Sequence, residues 1–132
     1  MTQRNIDMMS IVVDKLSHGK TLSAALKVVY TKRNVVIPQN KALYDIKVMD
    51  LEMSPRTKNA LMRNHLTTVG EIIEYADESN IKHLKGFGLN SGVELFETIL
   101  DLHWSHMTKE EQTDFLIDTV VRNEDNIKPE LM

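Results

Sequence analysis

Apolar residues recur at helical spacing through the first part of the chain and predict two helices joined by a tight turn. The first helix is expected over residues 4–17. The second is expected after Thr21, whose hydroxyl is suited to cap it, and Gly19 between them suits a left-handed residue after a helix. The predicted core positions are Ile6, Met9, Val12, Val13 and Leu16 in the first helix, and Leu22, Ala25, Leu26, Val29 and Tyr30 in the second.

The rest of the chain predicts short helices with recognisable starts, so the expected fold class is all-α, a compact bundle of short helices. An extended segment over residues 45–53 leads into this region, and the polar tail from residue 123 is expected to fray. Three predicted helices have a capping signal at their start: Pro55 to Arg63 after a Ser54 cap, a helix from a Thr68–Glu71 capping box to Asp77, and a helix from a Thr108–Glu111 capping box through Val120. Two more are predicted between the second and the third of these, a short one over residues 78–84 and a longer one through Val93, Phe96 and Leu100.

Charge varies along the chain in step with this organisation. The formal net charge of −3 comprises +4 in residues 1–39, −2 in residues 40–100 and −5 in residues 101–132. We predict a basic N-terminal helical hairpin over residues 1–39, a helical domain over 40–104, and an acidic C-terminal helix and tail over 105–132. Such a distribution steers an anionic partner towards one end of the chain.

Residues 84–88, with the sequence LKGFG, join two helical patterns in the layout of a helix-hairpin-helix. Gly86 and Gly88 are expected to turn the backbone with positive φ and to leave the amides of the next helix unshielded. Those amides, near Asn90 and Ser91, are suited to bind a phosphate. An ordinary connecting turn explains the same glycines without a ligand.

A second candidate surface lies on the helix that begins at Pro55. Arg56, Asn59 and Arg63 are spaced i, i+3 and i+7 and therefore share one helix face. A guanidinium beside an amide suits the electronegative minor groove of A/T-rich DNA, where Asn can read the acceptor atoms of the bases. We therefore interpret this face as a candidate DNA contact.

Four parts follow one another between Tyr44 and Leu100, and their order is informative. They are the lead-in Val48–Met53, a helix with Arg56, Asn59, Ala60 and Leu61, the segment Thr68–Ile73, and Leu84–Gly88 running into Ser91 and Glu94. This order, over less than half of the chain, resembles the C-terminal domain of the bacterial RNA polymerase α subunit. The resemblance implies a compact helical domain that binds the minor groove of A/T-rich promoter DNA and docks transcription activators.

The resemblance also implies which residues contact DNA. The family uses an Arg and an Asn of the first helix and a Gly, a Lys, a Ser and a Glu of the hairpin and the following helix. All but the lysine are carried onto this sequence, at Arg56, Asn59, Gly88, Ser91 and Glu94. Asn90 stands where the family has the lysine, and Leu89 where a further lysine is common. Because phosphate contacts supply much of DNA affinity, we expect weak binding.

Two alternatives stay open from the sequence. Residues 91–94 also form a Ser-x-x-Glu capping box, which explains Ser91 and Glu94 without a ligand. The domain is alternatively a docking module of the transcription machinery that binds protein and not DNA, with the acidic last helix engaging a basic surface. If DNA is the partner, auxiliary phosphate contacts are expected from the basic front, at Lys20, Lys27, Lys32 and Arg33.

The sequence offers little support for catalysis, a cofactor or a metal. Lys20 follows a glycine as in a phosphate-binding loop, but Asp14 stands where that motif requires Gly. His103 and His106 are more typical of exposed helix residues than of a metal site, and Trp104 is more typical of packing than of cofactor binding. The absence of Cys favours a reducing cytoplasm, and no apolar run is long enough for a membrane span.

Overall fold

The structure is a computed structural model that describes residues 1–78, 81 and 84–132. These residues form six α-helices, which confirms the all-α fold class. The short helix predicted over 78–84 lies largely outside the described residues. The helices are α1 (Gln3–Ser17), α2 (Leu22–Val29), α3 (Pro55–Arg63), α4 (Val69–Glu78), α5 (Leu89–Ser105) and α6 (Lys109–Arg122).

Contacts divide the protein into two compact units. The terminal unit comprises residues 1–37 and 104–132, and the central unit comprises residues 38–103. The N-terminal and C-terminal segments, predicted as separate parts, belong to the same unit in the structure.

The first two helices of the terminal unit form where the sequence predicts them. The Thr21 hydroxyl accepts a hydrogen bond from the Ala24 amide at 3.2 Å, and Gly19 has a φ of +87°. The predicted core face of α1 is wrong in part: Ile6 and Val13 are exposed, while Asn5, Met8 and Val12 are the buried positions. Because α1 carries apolar residues on more than one face, periodicity alone does not select the face that packs against α2 and α6.

The C-terminal tail is ordered, so the expected fraying is wrong. Ile127 is buried and its backbone forms an antiparallel bridge with Tyr30. The buried Asn123 side chain accepts a hydrogen bond from the Asn34 amide at 2.7 Å. The tail is polar overall, but it is held by this buried apolar side chain, by the buried amide, and by backbone hydrogen bonds between Thr31 and Asn126 and between Lys128 and Val29, both at 2.9 Å.

The other end of α6 is held by the predicted capping box. The Glu111 amide donates to the Thr108 hydroxyl at 3.2 Å, and the Thr108 amide donates to the Glu111 carboxylate at 3.0 Å. Hydrogen bonds to the Glu111 carboxylate, from the Thr108 backbone first and then from its side chain, lower the pKa of Glu111. The ring of Trp104 lies 6.2 Å from that of Phe115, in keeping with a packing role.

The central unit begins with a clasp between two backbone segments. The Val48 amide donates to the Thr67 carbonyl, and the Val69 amide donates to the Ile46 carbonyl, both at 2.9 Å. The lead-in is less extended than predicted, since Val48–Asp50 forms a 3₁₀ turn. This clasp joins the lead-in to the start of α4.

Both capped helices of the central unit start as predicted. The Ser54 hydroxyl accepts from the Thr57 amide at 3.4 Å at the start of α3, and the Thr68 hydroxyl accepts from the Glu71 amide at 3.2 Å at the start of α4. The apolar core of the unit is formed by Leu43, Val48, Leu51, Ala60, Leu61, Leu66, Val69, Ile72, Leu84, Phe87, Leu95, Ile99 and Leu100.

One histidine differs from the expectation of exposed helix residues. His103 is buried, and its Nδ1 lies 2.9 Å from the Ile99 carbonyl oxygen, whereas His106 is exposed. Across residues 1–78, 81 and 84–132, no group of three His, Cys, Asp or Glu side chains is placed to share a metal. In the same ranges, no helix is both long enough and apolar enough to cross a bilayer.

Candidate nucleic-acid interface

The exposed face of α3 forms an open surface depression. Arg56, Asn59, Met62 and Arg63 line this α3 depression, which has a volume of about 610 Å³. Arg56, Asn59 and Arg63 are accessible on this face, as their common spacing predicts. Two cations and an amide therefore lie side by side on one accessible helix face.

The helix presents this face because its opposite side is buried. Thr57, Ala60 and Leu61 are almost fully buried and fix the rotation of α3. Ser54 caps the helix and Pro55 occupies its first turn, so the start of α3 is also fixed. The position of Arg56, two residues after the cap, follows directly from these local signals.

The hairpin before α5 makes its turn at the first glycine alone. Gly86 has a φ of +80°, and the Phe87 amide donates to the Leu84 carbonyl at 3.1 Å, which leaves Phe87 buried. The prediction of a positive φ at Gly88 is wrong. Among the described glycines that conformation occurs only at Gly19 and Gly86. Gly88 immediately precedes α5 and accepts a hydrogen bond from the amide of residue 92 at 3.0 Å.

Gly88 is sterically open, as Gly19 and Gly92 also are. No described atom lies within 4 Å of the position that a Cβ would occupy there. Packing inside the protein thus does not demand glycine at this position. An absent side chain keeps the backbone at the start of α5 open to a large partner.

A second depression connects α3 to the start of α5. This α3–α5 depression has a volume of about 420 Å³ and is lined by Ser54, Arg56, Thr57, Gly88, Leu89, Asn90, Ser91 and Glu94. Arg56 lines both depressions. The guanidinium of α3 and the first turn of α5 therefore lie on the same solvent-facing surface.

Ser91 and Glu94 connect the two helices and do not form the capping box that their spacing suggests. Ser91 lies within α5, is buried, and its hydroxyl accepts from the Thr57 hydroxyl at 3.2 Å. Glu94 accepts from the amide of Ser54 at 3.0 Å and from its hydroxyl at 2.9 Å. Both side chains thus hold α5 against the start of α3. Sequence reasoning missed Thr57 and Ser54 as their partners, because these contacts join residues far apart in the sequence.

Glu94 is the acidic group of this surface. Burial on its own raises the pKa of the carboxyl group, but hydrogen bonds from Thr57 and from the side chain and backbone of Ser54 outweigh it and lower the pKa. The carboxylate therefore carries its charge at neutral pH. It sits in the same depression as Arg56 and reduces the local positive potential.

The far end of α3 is tied to the hairpin by Asn64, a residue that the sequence did not single out. Its side-chain nitrogen donates to the Ala60 carbonyl at 2.7 Å and to the Lys85 carbonyl at 3.1 Å. The guanidinium of Arg63 reaches over Gly86, where it lies 3.2 Å from the position of an added Cβ. Each end of α3 is thus fixed to the segment that carries the hairpin.

The basic residues proposed as auxiliary contacts lie in the other unit. Lys20, Lys27 and Lys32 are exposed, and Arg33 is half-buried. They are not among the residues that line either depression. Their role in binding phosphate stays a prediction.

Comparison with known proteins assigns the central unit to a family. Residues 36–101 match the family model of the C-terminal domain of the bacterial RNA polymerase alpha subunit. The protein belongs to this family. The family is a non-catalytic, transcription-associated domain of the DNA-binding kind, which agrees with the resemblance recognised in the sequence.

Individual relatives are RNA polymerase α subunits, matched over part of their length. The protein is 34% identical over 67 residues to the DNA-directed RNA polymerase subunit alpha of Herpetosiphon aurantiacus, covering 51% of its own sequence and 19% of the relative. It is 33% identical over 85 residues to that of Trieres chinensis, covering 64% and 22%. The match thus spans about a fifth of the length of these relatives. No solved structure gives a significant match.

Proposed function

We propose that the central unit binds the minor groove of A/T-rich DNA and the adjoining phosphate backbone as an accessory of transcription, without catalysis. The observation that supports this most directly is the shared position of Arg56 in both depressions. Through the α3 depression, Arg56 adjoins Asn59 and Arg63, which form the face proposed to read the groove. Through the α3–α5 depression, it adjoins Gly88 and Asn90 at the start of α5, which is proposed to bind a phosphate.

Each group of this surface has a distinct role in the proposal. The guanidinium of Arg56 enters the narrow groove, where the potential is most negative, and Asn59 donates to the acceptor atoms of A·T pairs. The exposed amides at the start of α5 bind a phosphate beside the groove, which the open space at Gly88 allows. Ser91 and Glu94 act indirectly, since their polar atoms are engaged with α3 and hold the two helices in register.

Affinity is expected to be low. The surface offers two cations, Arg56 and Arg63, against the ionised Glu94. Two phosphate-equivalent contacts correspond to a slope of log K against log salt of about −2, and Kd should fall within about 1–100 µM at physiological salt. Binding of this strength suits a domain tethered near DNA by other contacts.

The test is fluorescence anisotropy with A/T-rich and G/C-rich duplexes over a salt series. We expect preference for A/T, a shallow salt dependence, and a loss of about tenfold in affinity in Arg56→Ala. Lys41→Ala is the matched control, because it removes an exposed cation that lines neither depression, and it should change affinity less than about twofold. Binding that is absent or equal for both duplexes, and unaffected by Arg56→Ala, would instead favour the protein-docking alternative.

A further inference from the structure

Leu89 is the most exposed large apolar residue among those the structure describes, with 72% of its surface accessible. It is the first residue of α5 and lines the α3–α5 depression beside Arg56 and Asn90. The first turn of a helix places no demand for an apolar side chain, and Leu89 buries little in the fold. Its position next to a cation in an open depression is therefore informative.

We propose that Leu89 is an apolar wedge that enters a base step of bound DNA beside the groove segment occupied by Arg56. This inference rests on the proposed function and gives it a further specificity. Minor-groove proteins commonly combine cations in the groove with an apolar side chain that partly unstacks one step and bends the duplex. Here the two groups lie in one depression, with no bulky side chain at Gly88 to keep the backbone away from the sugar edge.

The cations near Leu89 are compatible with DNA as its partner, but the charge of the whole region attracts DNA only weakly. Arg56 and Arg63 attract a polyanion, but Asn90 adds no cation, and residues 40–100 carry a net charge of −2. Electrostatic attraction therefore contributes only modestly to affinity. An inserted leucine adds a contribution that does not depend on salt, since it comes from burial of apolar surface.

A wedge also changes which A/T-rich sequences are preferred. Pyrimidine–purine steps such as TpA unstack easily, whereas A-tracts without such steps are stiff. We therefore expect the central unit to prefer A/T-rich DNA with a TpA step over an A-tract of equal composition. A surface that reads only groove width would show the opposite order, because A-tracts have the narrower minor groove.

The experiment compares two duplexes of equal length and A/T content, one with a central TpA step and one with a continuous A-tract, using the whole 132-residue chain. Affinity is measured by anisotropy and bending by energy transfer between dyes at the duplex ends. The parent should bind the TpA duplex about fivefold to tenfold more tightly and bend it. Leu89→Ala should remove both the preference and the bend while leaving the A-tract affinity within about twofold.

Two further variants separate insertion from other effects. Val93→Ala is the matched control, because it removes an exposed apolar side chain one turn along α5 that does not line the depression. It should behave as the parent. Leu89→Lys should lose the preference for the TpA step and the bend of the duplex. Because it adds a cation, it should steepen the slope of log K against log salt by about one unit.

The outcomes distinguish the wedge from the proposed function. If Leu89→Ala binds and bends both duplexes as the parent does while Arg56→Ala weakens binding, the wedge is overturned and the proposed function stands. A preference of the parent for the A-tract duplex also overturns it. If the parent binds neither duplex, both proposals fall, and Leu89 is then better explained as a contact for a protein partner.

Discussion

Replacing Glu94 by alanine should destabilise the protein, because this carboxylate of α5 binds the start of α3. The substitution removes two hydrogen bonds from Ser54, at 3.0 and 2.9 Å. Hydrogen bonds to charged groups contribute up to about 3 kcal/mol when buried, but this pair lies at the surface, where water replaces the lost partner. The Ser54 hydroxyl also continues to cap Thr57. We therefore expect a loss of about 1–2 kcal/mol in the free energy of unfolding.

The assay is urea unfolding followed by far-ultraviolet circular dichroism, with Glu74→Ala as the control. Glu74 is an exposed glutamate of α4, and its replacement should change the unfolding free energy by less than about 0.5 kcal/mol. Glu94→Ala and Glu74→Ala variants of equal stability would refute the structural role and return Glu94 to the set of candidate DNA contacts.

The pH dependence gives an independent check. Burial alone would raise the pKa of Glu94 in the folded state, but the hydrogen bonds from Thr57 and Ser54 together lower it. A lowered folded pKa means that its stabilisation is complete above the unfolded pKa and is lost as the pH falls through the folded value. The difference between the parent and Glu94→Ala should therefore be full at neutral pH and shrink in acid. A difference that stayed constant to well below the usual glutamate pKa, about 4.3, would contradict this reasoning.

Two further predictions concern packing. Gly70→Ala would place a Cβ 2.9 Å from the Cβ of Tyr44 and should lower the free energy of unfolding by about 1–3 kcal/mol. The control Gly92→Ala meets no described atom within 4 Å and should be neutral or stabilise α5 by up to about 1 kcal/mol. Equal melting temperatures of the two variants would contradict the close contact at Gly70. Asn123→Ala removes the hydrogen bond that the buried Asn123 side chain accepts from the Asn34 amide at 2.7 Å, and it should lower the unfolding free energy by about 1–3 kcal/mol; parental stability in urea would show that the tail is held by other contacts.

Much of the secondary structure could be predicted because its signals are local. Ser54, Thr108 and Gly19 each mark a helix end through hydrogen bonds or backbone conformation within a few residues, and the structure confirms them. Which face of α1 is buried could not be predicted, because that choice depends on the helices it packs against. The order of the C-terminal tail depends on Tyr30, which is distant in the sequence.

The candidate site divides in the same way. Arg56, Asn59 and Arg63 share a face because they share a helix, and their spacing reveals it. The meeting of that face with the start of α5 is a tertiary contact, which the sequence indicated only through the family resemblance. The spacing of Ser91 and Glu94 suggested a local capping box, but their actual partners lie 34 and 40 residues away.

The terminal unit is built from two segments that the whole central unit separates in the sequence. Its helical hairpin precedes the central unit along the sequence, whereas its partners α6 and Ile127 follow that unit. The central unit is continuous. We therefore expect the central unit to fold on the ribosome before α1 and α2 acquire their final packing. The entropy of closing a long loop should make the terminal unit the slower of the two to form.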